Sequence, residues 1–479
     1  MIRAHLAGAD AAILVGYLAF TVLVGFWRRR RGTQAYLIAN RSLRIPVFVA
    51  TLVATWYGGI LGVGEMTYRY GLVNWTTQGL PYYLFAVLFA LVLARRVRSS
   101  ALYTIPDKLA AEHGRPTALL GAAFAFLMVT PAPYVLMTGQ LVSALTGLAL
   151  LPALVAGTLF SVAYVYVGGF QADVRINVLQ FVLMFAGFLV ALPCVVAQTG
   201  GTAWLAAHLP PDHLRLDGGL GLPYVLVWFL IALWTLVDPG FHQRCYAART
   251  PAVARAGILA AVCCWFVFDA LTTSAGLYAR AGIPDLAPAL AGMAYPALAE
   301  RFLPAGVKGL FYVAMLATVM STVASYTFLA AMTVGRDLVW RLRCETGDER
   351  VPLYTRWGLV TTSLVAILIS LYVPSVVRQW WAIGTVFVPG MILSVLTAYA
   401  PRWKAGPAAT FLAMGLGASV SAACLAFGWA RHGLAADVSD SALFPFGVQP
   451  MYPGLAAALL VHAAGLAAER LRRSRACPS

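Results

Sequence analysis

Four hydroxyls on one apolar stretch are the residues best suited to chemistry in this chain. Within 310–334, Thr318, Ser321, Thr322 and Ser325 are spaced three, one and three residues apart, which places them on one face of a helix. Hydroxyl oxygens are hard, neutral ligands that replace water around a small alkali cation. In lipid, little else would offset the cost of desolvating one. The pattern predicts ion coupling. The competing reading for each hydroxyl is a bond back to the carbonyl four residues earlier.

Backbone oxygens for such a site come from interrupted helices. The apolar run 46–70 carries Gly58, Gly59, Gly62 and Gly64 within seven residues. Each costs a continuous helix roughly 1 kcal/mol against Ala and is tolerated where unwound backbone lines a cavity. Unwinding over 54–59 would free carbonyls at mid-membrane; close helix packing through glycine is the other reading. A partner break is expected at the start of the second half, where Trp234-Thr235-Leu236-Val237-Asp238-Pro239-Gly240 stands.

The elements that hold these residues are membrane spans. With 61% hydrophobic and 11% charged residues and a mean hydropathy of +0.79, the composition lies outside that of soluble domains. About thirteen apolar segments of roughly 20 residues are long enough to cross a bilayer: 8–26, 46–70, 77–97, 117–145, 151–170, 176–197, 221–241, 253–279, 307–334, 357–374, 380–400, 407–429 and 451–469. No loop is large enough for a separate soluble domain, so 1–479 reads as one membrane domain. The outer loops 198–220, 280–306 and 430–450 have room for short surface helices only.

A net charge of +16 would suit nucleic acid if it were clustered on one soluble face, but its distribution excludes that. With the N-terminus outside, 26 of the 34 Lys and Arg fall on cytoplasmic segments, including Arg28, Arg29, Arg30, Arg31, Arg244, Arg336, Arg470, Arg472, Arg473 and Arg475. That asymmetry sets an odd span number and a cytoplasmic C-terminal tail at 470–479. The first span is expected to be retained as an anchor, because its Arg run follows the apolar stretch. The abundance of Arg and Ala points to a bacterial gene and an inner-membrane protein. Seven Cys, including Cys477, show neither a disulfide framework nor metal spacing.

Several motifs together resemble the sodium/solute symporters, the family of bacterial proline and galactose symporters and animal sodium/glucose carriers. They are Ala39-Asn40-Arg41-Ser42-Leu43, Ala54-Thr55-Trp56-Tyr57-Gly58, Tyr68-Arg69-Tyr70-Gly71 and Thr104-Ile105-Pro106-Asp107. Val167-Gly168-Gly169-Phe170, Val178-Leu179-Gln180, Gln243-Arg244-Cys245-Tyr246-Ala247-Ala248, Met320-Ser321-Thr322, Arg336-Asp337 and Pro389-Gly390 follow in family order. The resemblance implies an all-α LeuT-type fold: inverted five-helix repeats at 46–197 and 221–400, one helix before, and two trailing helices at 407–469.

It also implies a sodium site made of the Ala54, Tyr57 and Thr318 carbonyls with the Ser321 and Thr322 hydroxyls. A second ion site of some relatives maps onto Asn177 and Ser325 beside Ala324; the usual anionic ligand is missing, although Asp173 lies one turn away. One sodium per cycle is therefore expected. By motif register Trp56, Gly58, Gly59, Gln78, Trp234 and Trp381 fall at substrate positions. A cavity rich in Trp favours a flat or cationic solute; packing or an interfacial belt is the alternative fate of these rings. Glu65 is either a substrate or gate carboxylate or the partner of Arg69.

The leading function is a sodium-coupled symporter that imports a small organic solute, with oligomerisation not required. A transport-like sensor is the alternative; it would need a separate signalling partner, since 470–479 carries no such module. The seven His and the scattered acids form no catalytic unit, so an enzyme is not expected. The solute is left open among amino acids, carboxylates, sugars, vitamins and nucleobases.

Overall fold

The computed structural model describes residues 2–27, 32–434 and 440–476, the last five by backbone alone. Arg28, Arg29, Arg30, Arg31 and Cys477 lie outside the described residues, as do the side chains of Arg472, Arg473 and Arg475.

The chain is a helical bundle. In order, α1 is Gly8–Phe26, α2 Ile45–Trp56, α3 Ile60–Tyr70, α4 Trp75–Ser99, α5 Arg115–Met128 and α6 Ala132–Thr146. Then come α7 Leu150–Thr199, α8 Leu222–Ile231, α9 Pro239–Ala247, α10 Pro251–Gly282 and α11 Val307–Met332. The last four are α12 Val351–Tyr372, α13 Val376–Ala398, α14 Pro407–His432 and α15 Met451–Ala476.

Among the described residues, eleven helices are long and apolar enough to cross a membrane, or twelve with the bent α2–α3 pair taken as one. Thirteen were expected, and the difference lies in α7. As a straight rod its 50 residues would extend about 75 Å, more than twice a bilayer core of about 30 Å. Gly169 interrupts it with φ 59° and ψ −152°, at the end of the expected span 151–170 and before 176–197. Its two halves correspond to two of the expected spans, while helix length and composition give eleven or twelve.

Local sequence explains where helices stop. Between α2 and α3 the axis turns by 57° at Tyr57-Gly58-Gly59, inside the expected window. Helix α9 starts at Asp238-Pro239, with the Asp238 carboxylate accepting from Phe241 N at 2.9 Å and Pro239 in the first turn, the chemistry of a helix start. A third break, between α5 and α6 at Val129-Thr130-Pro131, falls inside the expected continuous span 117–145. Pro131 has no N–H to continue the helix.

Helix α11 sits at the centre. Every residue over 311–332 is buried, the condition of an apolar helix surrounded by others, and its most extensive packing is against α7. At the Arg-rich end the two interrupted regions are laced together: Leu43 N donates to Ala247 O at 3.1 Å and Arg249 N to Leu43 O at 2.9 Å. Nearby, Asp107 holds Arg336 at 3.1 Å and Arg341 at 2.9 Å, which ties the short helix Ile105–His113 to the end of α11.

The turn in α7 depends on glycine. A Cβ at Gly169 would stand 2.5 Å from the Tyr36 carbonyl oxygen, in a backbone region that other residues rarely adopt. Gly169→Ala is expected to destabilise the protein by about 1–3 kcal/mol, read as a fall in melting midpoint in detergent. Gly16→Ala, where a Cβ meets nothing within 4 Å, should not lower the midpoint.

Candidate functional site

The hydroxyl face of α11 divides by what each group reaches. Thr318 Oγ1 bonds back to Ala314 O at 2.7 Å, the ordinary behaviour of a helical Thr. Ser321 and Thr322 instead reach across to α2: Ser321 Oγ donates to Ala54 O at 2.8 Å and to Thr318 O at 2.7 Å. Thr322 Oγ1 lies 2.8 Å from Thr55 O and 3.3 Å from Ala54 O. Three carbonyl and two hydroxyl oxygens therefore converge from two helices, all of them neutral.

The backbone explains which carbonyls take part. The last helical bond of α2 runs from Tyr57 N to Val53 O at 3.1 Å, and the ladder resumes with Val63 N to Gly59 O at 2.9 Å. Ala54 and Thr55 present their carbonyls in that gap. Thr322 meets the Thr55 carbonyl, which the resemblance had not named beside those of Ala54 and Tyr57. The contact also requires Gly58, because a Cβ there would lie 1.9 Å from Thr322 Oγ1. Gly59 and Gly62 make room for the Trp380 ring in the same way, so the glycine run both interrupts the helix and lets neighbours approach.

Ser325 belongs to a different cluster. Its Oγ donates to Asp173 at 2.7 Å and lies 2.8 Å from Thr55 Oγ1. Asn177 Nδ2 donates to it at 3.2 Å. Into their midst comes Arg244, fully buried, with Nη2 2.7 Å from Thr55 Oγ1, 3.1 Å from Ser325 Oγ and 3.4 Å from Asp173 Oδ2. The guanidinium thus occupies the position where a second cation was in question. Motif register alone gave no sign of it, because Arg244 lies on α9, 71 residues from Asp173.

Both interruptions border one cavity of about 100 Å³. Trp56, Tyr57 and Gly59 line it from the first break, Trp234 from the second, and Gln78 from α4. Gln78 lies in a π-helical turn, Trp75–Gly79, a distortion common at functional sites. The remaining wall is mainly aromatic, with Tyr82, Tyr83, Tyr134, Trp265, Tyr326 and Trp380, and it holds a single charged group, Asp269.

Three expected substrate positions are elsewhere. Gly58 packs on Thr322. Trp381 stacks on Phe444 at 5.5 Å while Trp380 lines the cavity, since adjacent helical residues point about 100° apart. Glu65 pairs with Arg69 at 3.2 Å one turn along α3, which satisfies its charge away from the cavity. Asp269 was missed, although a carboxylate within a span is a functional candidate on its own; it lay on a helix with no break to draw attention.

A model of the sodium:solute symporter family matches residues 36–403. The chain belongs to that family. The sodium/glucose cotransporter of Vibrio parahaemolyticus is 25% identical over 75% of this chain and 74% of its own length. The high-affinity choline transporter 1 of Caenorhabditis elegans is 23% identical over 78% and 71%. Among solved structures, a sodium-coupled sialic acid symporter in a substrate-bound outward-open state superposes with a TM-score of 0.79 at 14% identity, covering 97% of this chain and 98% of that one. The fold is of the LeuT type, and the symporter couples sodium to the movement of a small organic solute across a membrane.

Gly58→Ala tests the closeness that the symporter's break requires. Thr322 is β-branched and held on a buried helix, so it cannot yield cheaply. Stabilisation of the purified protein by sodium over potassium is expected to weaken at least about tenfold in apparent Kd, near 1.4 kcal/mol. An unchanged sodium titration would show that the approach is dispensable.

Proposed function

We propose that the carbonyls of Ala54, Thr55 and Thr318 and the hydroxyls of Ser321 and Thr322 hold the coupling sodium, and that the aromatic cavity beside them holds the solute. The observation that carries this reading is the convergence of five neutral oxygens from an interrupted helix and the central helix, with no carboxylate among them. Neutral oxygens suit sodium in a dry site, whereas a proton site would call for an acid or His. The ion ties α2 to α11, and rocking of the two repeats about that tie exposes the cavity alternately to each side. With the N-terminus outside and the Arg-rich face cytoplasmic, an inward sodium gradient drives the solute inward.

One sodium moves per cycle in this reading, because Arg244 supplies a tethered positive charge among Asp173, Asn177, Ser325 and Thr55. A free ion there would add charge repulsion to a site already neutralised. The relatives that carry glucose and choline differ in their solutes, so membership of the family does not name this one.

Thermal unfolding in sodium against potassium tests both claims. Ligand stabilisation follows RT ln(1 + [L]/Kd), so one sodium adds about 1.4 kcal/mol per decade of concentration above Kd and two would add twice that. The double variant Ser321→Ala, Thr322→Ala should lose the sodium-specific effect. A doubled slope in the wild type would overturn the single-ion stoichiometry, and a sodium effect that survives the double variant would place the ion elsewhere.

A further inference from the structure

Most acids buried in the described helices have evident compensation. Asp173, Asp107 and Asp337 face arginines, while Asp10 and Asp238 accept backbone N–H groups. Asp269 has neither. It is 6% exposed and accepts hydrogen bonds from the Tyr57 and Tyr83 hydroxyls, and no basic side chain reaches it among the described residues. An ionised carboxylate buried without a cation is costly, and this one faces a cavity.

The rest of the cavity complements a cation. Nine of its thirteen lining residues are aromatic, and ring faces attract positive charge most strongly where water is excluded. Three buried donors in the same wall, the indole N–H groups of Trp234 and Trp265 and Gln78 Nε2, have no hydrogen-bond partner. Unmet buried donors call for an acceptor. The wall therefore asks for two things at once, a positive centre for Asp269 and an oxygen for the donors.

We propose that the solute is a small organic ammonium carrying an oxygen acceptor, with its positive centre held between Asp269 and the aromatic rings. The inference rests on the cavity being the solute site. A neutral sugar would leave Asp269 uncompensated, and a simple anion would be repelled by it.

The test uses full-length protein at saturating sodium, with choline and ethanolamine as probes. The controls are 3,3-dimethylbutan-1-ol, the uncharged carbon isostere of choline, and glucose. At least one ammonium is expected to raise the melting midpoint and to bind at least about tenfold more tightly than the isostere. Asp269→Asn should abolish that preference. Equal binding of the isostere, stabilisation by glucose with neither ammonium active, or unaltered ammonium binding by Asp269→Asn would each overturn the proposal. If Asp269→Asn does not fold, the comparison of choline with its isostere on the wild type decides. Failure of sodium alone to stabilise the protein would count against the oxygen cage, which the solute arms do not measure.

Discussion

A helix that stops in mid-membrane leaves carbonyls that lipid cannot satisfy, and the rest of this structure is arranged around that debt. The gap after Val53 presents Ala54 and Thr55 to whatever stands opposite. What stands opposite is α11, buried throughout 311–332, where Ser321 and Thr322 offer hydroxyls at hydrogen-bonding distance. The same oxygens that satisfy one another can turn their lone pairs to a cation, so the pairing that stabilises the ion-free site also assembles the ligands. Gly58 is a condition of that pairing, because any side chain there would hold the two helices apart.

Thr55 links this cage to the Arg244 cluster. Its carbonyl faces Thr322 while its hydroxyl meets Arg244, Ser325 and Asn177. Four helices, α2, α7, α9 and α11, thereby meet at one polar knot in the interior. A buried ion pair contributes little net stability over an apolar packing of equal volume, but it is unforgiving of misalignment. Its effect here is to fix the register of both interrupted regions against the central helix, which is a requirement for a site split between them.

How much of this was legible in the sequence follows from how local each signal is. Both mid-membrane breaks could be read, since Gly58-Gly59 and Asp238-Pro239-Gly240 interrupt helices through their own backbone chemistry. The hydroxyl stripe was legible because its period is that of one helix. The site's aromatic wall was only half legible: Trp56, Gln78 and Trp234 adjoin breaks or distortions, whereas Trp380 was displaced to Trp381 by a one-residue uncertainty that turns a side chain by about 100°. Asp269 and Arg244 became meaningful only through neighbours far away in the chain. No periodicity announces that one lacks a cation and the other supplies one. Pro131 carries a local signal of its own, its missing N–H, but its break was absorbed into a long apolar run.

On the proposed assignment, Tyr57 joins the ion and solute sites at a single residue. Its backbone closes α2 and so fixes which carbonyls face α11, while its hydroxyl donates to Asp269 across the cavity. Any shift of the break that spoils the oxygen cage also moves a partner of the cavity's one charged group. Sodium that orders the break therefore prepares the solute site, and a solute that holds Asp269 and its tyrosines in place steadies the break in return. Thermodynamic linkage makes the two effects equal in free energy. Coupling in this reading needs no long pathway through the protein, since the two ligands favour the same geometry of three residues, Tyr57, Gly58 and Gly59.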